Sequence, residues 1–165
     1  MKDELMQGEV FVFLAMALLI GVYLLELERI VTPPILVLSE ETEEFRFSSG
    51  SDTLTHQFRR ALRTSIVPLL DSLQDSCQCD LIEVVGHTDA EPIRRGQRSN
   101  LDRSLLAVYH GADSVGVMAG SNVDLGMLRA LSVVGALKRI KDGTGLLEGV
   151  ERFVPYSAGQ VVLPD

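Results

Sequence analysis

Asp89 and Arg129 are the residues of this chain whose types and settings point most directly to chemistry. A carboxylate accepts hydrogen bonds from an ammonium. A guanidinium grips a carboxylate through two parallel N–H groups, a geometry that lysine cannot supply. A ligand carrying an ammonium and a carboxylate on one carbon would engage both. Thr88 and Asn122 stand beside the pair in sequence and are candidates to orient the ligand or brace the turn. The plainer alternative is that Asp89 and Arg129 pair with each other and Asn122 is only a helix cap. Both readings are consistent with the sequence.

Two stretches must position these groups. Leu81-Ile82-Glu83-Val84-Val85 is apolar and β-branched apart from Glu83, so it predicts a buried strand. Gly86 is expected to break that strand, leaving a turn that presents Asp89. Ser121 to Val134 reads as a helix opening. Ser121 or Asn122 can cap it, and Asp124 suits the positive end of its dipole. Asn122 and Arg129 lie seven residues apart, on nearly one face and about two turns from each other.

At these residues the chain resembles the OmpA/MotB-like peptidoglycan-binding domain. The matching residues are Gly86, His87, Thr88 and Asp89 at a strand end, then Asn122, Leu125, Arg129 and Ala130 opening a helix. Gly126 stands where the family usually has Ser, which predicts the loss of one hydrogen bond at the helix start. The resemblance covers roughly Ile35 to the end of the chain. It implies an α/β (α+β sandwich) fold of β-α-β-α-β order. It also implies a ligand, the diaminopimelate of the peptidoglycan stem peptide, with Asp89 on the ammonium and Arg129 on the carboxylate. The helix N-terminus near Asn122 would add favourable potential for an anion.

Catalysis has little support. His87 beside Asp89 invites the thought, but the chain has no G-x-S-x-G or H-E-x-x-H motif. His87 is expected to brace the turn, and the protein is read as a non-enzyme without cofactor. Cys77 and Cys79 flank one residue. A disulfide there would close a very short loop, and a metal would need more ligands nearby. The expectation is therefore two free thiols at a helix-to-strand turn and no metal. The formal net charge of -8 argues against a nucleic-acid partner.

With 165 residues, 46% of them hydrophobic, the chain can hold one compact domain and a membrane segment. Val10 to Leu25 carries no charge but covers only about 24 Å as a helix. Extended back to Leu5 it covers about 32 Å and takes in Glu9, enough for a bilayer core. The acidic start and the lack of small residues at the exit favour an uncleaved anchor over a signal peptide. The expected organisation is a short tail, cytoplasmic as the resemblance implies, and a transmembrane helix over residues 1–28, a linker over 29–43, and the domain over 44–165.

The resemblance places that domain in the periplasm and the anchor in the bacterial inner membrane, in a single-pass homodimer. An acid at membrane depth is costly, and Glu9 precedes an apolar run much as in the flagellar stator B subunit. Glu9 is therefore a candidate proton carrier beside a multi-span stator A-type subunit, in a flagellar or Zorya-type motor. The motor is the alternative to the first reading, a passive wall tether, and the plainer reading of Glu9 itself is an interfacial acid that snorkels to water.

The remaining elements follow from pattern. Thr32-Pro33-Pro34 stiffens the connector, and Ile35–Leu38 is a candidate short strand. Glu44-Phe45-Arg46-Phe47 alternates like a half-buried strand. A helix capped by Ser51 or Asp52 follows, with a kink or restart at Pro68. Residues 90–120 form an insertion with a Gly-rich part and the exposed candidates Arg94, Arg95 and Arg98. The second helix is expected to run to about Lys141, terminated by Gly143. A strand over Arg152–Tyr156 and a turn over Ser157–Gln160 complete the pattern. The family usually has one further strand beyond this point, so the sheet is expected either to keep an open edge or to belong to a truncated chain.

Overall fold

A computed structural model describes residues 2–27, 33–39, 42–89, 91–93 and 97–161. The chain divides into two units, Met1–Pro34 and Ile35–Asp165. The first is the helix α1, Lys2–Leu27. Its side chains are described over residues 11–23, all of them apolar and all exposed except the half-buried Gly21. Among the described residues no helix is long and apolar enough to cross a membrane. The side chain of Glu9 lies outside the described residues, as do Arg94 and Arg95.

The second unit is a small α/β fold around a two-stranded parallel sheet. Its elements are α2 (His56–Ala61), a π-helical segment (Leu62–Ile66), α3 (Val67–Cys77), β1 (Leu81–His87), α4 (Leu101–Tyr109), α5 (Asn122–Thr144) and β2 (Arg152–Gly159). Parallel neighbours need a crossover, and α4 with α5 supplies it. The expected strand at Glu44–Phe47 is instead a 3-10 turn over Glu43–Phe45 followed by irregular chain, and Ile35–Leu38 is not a strand. Phe45 and Phe47 both turn onto the Phe58 ring, with centroids 5.5 and 5.2 Å away. Aromatic packing therefore explains the alternation that suggests a strand.

The first helical run is capped by Thr55, whose hydroxyl accepts the Phe58 N–H at 3.0 Å, rather than by Ser51 or Asp52. Pro68 cannot donate to the carbonyl four residues back, and its ring would clash with it. The chain widens to π-helix immediately before Pro68, with the Val67 N–H bonded to the Leu62 carbonyl, and continues as α3. The helix bulges here rather than breaking.

Helix α5 is the centre of the unit. One side buries Val133, Val134, Ala136 and Leu137 in the main core with Leu62, Val67, Val150 and Phe153. The other buries Leu125, Leu128 and Leu131 in a second core with Leu101 of α4 and Ala119. The insertion is thus partly helical and packed, not a free Gly-rich loop. Asn100 folds it back: its Oδ1 accepts the Met118 N–H at 2.7 Å and its Nδ2 donates to the Gly116 carbonyl at 3.0 Å. Helix α5 ends at Thr144 with Gly145 left-handed, so Gly143 lies inside it rather than terminating it.

Gly86 does not break β1 but lies within it. A Cβ on Gly86 would stand 2.0 Å from the Gly126 carbonyl oxygen, and one on Gly126 would stand 2.4 Å from the Ser157 Oγ. Sheet and helix therefore touch backbone to backbone, and both positions require glycine. Strand β2 extends through Gly159, beyond the expected end at Tyr156. The pairing runs from Leu81↔Arg152 to Gly86↔Ser157, then slips so that His87 pairs with Gly159.

The cysteines are a disulfide, Cys77–Cys79, not free thiols. It spans the end of α3, where Gln78 adopts a left-handed cap. It links no distant elements. Closing so short a loop restrains the unfolded chain by only roughly 1–2 kcal/mol.

The glycine contact makes a graded prediction for urea unfolding. Gly86→Ala and Gly126→Ser each force overpacking and should cost about 2–3 kcal/mol. Gly143→Ala, in a helix with open space around it, should stabilise by up to about 1 kcal/mol. Equal effects at all three positions would contradict the close approach.

Candidate functional site

Because α5 runs back against the strands, its first turn lies at their C-terminal ends. Open parallel sheets commonly bind ligands at that edge. Ser121 caps α5, its hydroxyl accepting the Asp124 N–H at 3.1 Å, while the Asp124 carboxylate accepts the Gly120 N–H at 2.9 Å. That reciprocal pairing satisfies the helix start without Asn122. Asn122 is free to turn sideways. Its Nδ2 donates to the Asp89 carbonyl at 3.3 Å and to the Gln160 Oε1 at 3.1 Å.

The strand ends are closed by further bonds. The Thr88 N–H donates to the Gly159 carbonyl at 2.7 Å. The His87 Nδ1 lies 3.0 Å from the Val161 carbonyl, and the Ser157 Oγ donates to the Val123 carbonyl at 2.7 Å. Gly159 has φ +56, and a Cβ there would meet Val123 at 3.1 Å. The small residues Ser157, Ala158 and Gly159, read from sequence as a turn, let β2 reach past the helix start.

Arg129 is 4% exposed. Its Nε donates to the Ser51 carbonyl and its Nη1 to the His87 carbonyl, each at 3.1 Å, and its guanidinium lies 4.9 Å from the Phe47 ring centroid. The sequence reading has this side chain facing open ligand space. In the structure it is held inside the fold, tying β1 to the segment before α2. A buried guanidinium bonded to carbonyls and stacked on an aromatic ring is a strong positional restraint. Asp89, two residues beyond His87, is exposed. The carboxylate and the guanidinium thus sit at the same strand end in different environments, one open and one enclosed.

Three side-chain atoms here are buried without a hydrogen-bond partner: His87 Nε2, Thr88 Oγ1 and Asn122 Oδ1. They belong to His87, Thr88 and Asn122, at the end of β1 and the start of α5. Orphaned polar atoms are costly, roughly 1–3 kcal/mol each, and call for an explanation. If His87 Nδ1 donates to Val161, Nε2 is left as an acceptor. With Asn122 donating through Nδ2, Oδ1 is an acceptor too. These acceptors lie enclosed at the same strand end that carries the exposed Asp89. Ser51, Phe47, Ser157, Gln160 and Val161 complete the surroundings. Sequence pattern does not reveal them, because each acts through a backbone carbonyl, a small volume, a distant ring or, for Gln160, a side-chain amide oxygen far along the chain from Asn122.

Among the described residues no group of His, Cys, Asp and Glu is arranged to hold a metal. Comparison with protein families, curated proteins and solved structures returns no match for this chain.

The two charged residues should separate in unfolding experiments. Arg129→Ala removes charged hydrogen bonds to two carbonyls and should cost on the order of 3 kcal/mol. Asp89→Ala should change stability by no more than about 0.5 kcal/mol. A destabilising Asp89→Ala with a silent Arg129→Ala would reverse these assignments.

Proposed function

We propose that residues 35–161 bind the peptide stem of peptidoglycan non-covalently, at diaminopimelate, and that the chain tethers a membrane complex to the cell wall. The observation that carries this reading is the acceptor set beside exposed Asp89: the unpartnered His87 Nε2, Thr88 Oγ1 and Asn122 Oδ1. The side-chain ammonium of diaminopimelate offers three donors to acceptors of this kind. The start of α5 supplies positive potential for the carboxylate on the same carbon. Arg129 contributes by fixing the His87 carbonyl, and with it the strand end, beneath the ligand. Support for an OmpA-like relationship comes from Gly86-His87-Thr88-Asp89 and the Asn122–Arg129 spacing.

The site requires no bond to be made or broken, so the reading is binding without turnover. The apolar, exposed residues 11–23 of α1 support an anchor in the inner membrane, with the binding unit on the periplasmic side. Glu9 is the residue on which an ion-coupled version, with a stator-type partner, would rest. Its side chain lies outside the described residues, and the tether reading rests on described residues alone.

Retention of the full chain on purified sacculi tests the proposal. Asp89→Ala and Asn122→Ala should weaken retention about tenfold or more while leaving the circular-dichroism spectrum unchanged. Undiminished retention by both variants would refute it.

A further inference from the structure

A second polar site lies away from the strand ends, between the first helical run and the C-terminal half of α5. It is an open cleft of about 330 Å³ whose lining includes Arg59, Arg63, Arg139, Ala136, Ile140 and Thr144. Arg59 and Arg63 come from α2 and the π-helical segment, one turn apart; Arg139 comes from α5. Arg59 uses Nε and Nη2 on the Leu54 carbonyl, at 3.1 and 2.7 Å. Among the described residues no carboxylate pairs with any of the three, and Arg63 and Arg139 have no hydrogen-bond partner. This occurs in a chain with 23 acidic and 15 basic residues, where random pairing would favour neutralisation.

We infer that this cleft binds a phosphate-bearing organic molecule, its phosphoryl group held by Arg63 and Arg139 and its apolar part resting on Ala136 and Ile140. Two guanidiniums with all their donors available suit a multiply charged, three-oxygen group better than a single carboxylate. The volume lies at the small end of ligand pockets and exceeds what one inorganic phosphate fills. Local bulging of a helix often marks functional positions, and here the π-helical segment carries Arg63. Arg139 also lies toward the negative end of α5, where a purely structural role would be to complement the helix dipole. That role predicts a different outcome, set out below.

The probe is phenyl phosphate, titrated calorimetrically into the full-length protein. In a parallel arm the protein is mixed with phosphatidylcholine vesicles with and without phosphatidic acid. Binding to phenyl phosphate assigns a soluble phosphate ester, and binding to the acidic vesicles alone assigns a lipid headgroup; either supports the site. Arg63→Gln and Arg139→Gln should each weaken that binding about tenfold, whereas Arg60→Gln, a neighbour outside the lining, should not. Without ligand, both lining variants should unfold at the same temperature as the parent or higher, because removing one arginine relieves like-charge repulsion. No binding in either arm, or equal weakening by Arg60→Gln, overturns the inference. So does destabilisation by Arg139→Gln with unchanged binding, which marks a dipole complement.

Discussion

The backbone contact between Gly86 and Gly126 is the constraint on which the rest depends. Neither position has room for a Cβ. That close approach brings the start of α5 down onto the C-terminal ends of both strands. One turn further on, it sets Arg129 where its guanidinium reaches the His87 carbonyl. It also places Asn122 within reach of the Asp89 carbonyl and Gln160. A helix held a few ångströms farther off would keep its core contacts poorly and lose each of these bonds.

Arg129 ties that packing to the strand end where the proposed site lies. Burying a guanidinium is unfavourable unless its donors are used. Here they are spent on main-chain carbonyls of two separate segments, so the fold gains a fixed strand end rather than an exposed cation. The exposed acid and the orphaned acceptors then occupy a rigid frame. A binding group on a frame loses little conformational entropy when it engages a ligand.

The strongest local signals were legible in the sequence. The β-branched run from Leu81 predicted β1, although the strand is largely half-buried with Val85 exposed rather than buried, and Ser121 with Asp124 predicted the start of α5, because both rest on side chains acting within a few residues. What escaped depended on partners far away in the chain. Gly86 looked like a breaker because a strand glycine and a turn glycine are identical until the facing helix is known. The Phe45 and Phe47 alternation looked like a strand, yet a single partner, Phe58, attracts both rings. Gly143 looked like a helix stop, but the left-handed residue is Gly145, two positions later. The packing of the insertion was hidden for the same reason, since Asn100 works through Gly116 and Met118. That Asp89 and Arg129 meet at one strand end could be read, but not which of the two charges is enclosed. Burial follows from Phe47 and Ser51, which no spacing rule connects to Arg129.

Backbone amide chemical shifts of the isotopically labelled full chain, recorded while a diaminopimelate-containing stem peptide is added, test the central claim most directly. The account predicts saturable shifts concentrated at Thr88, Asp89, Asn122 and Gly159, with the His87 ring signals moving as Nε2 gains a donor. Shifts confined to other surfaces, or a titration in which these amides stay still, would contradict it.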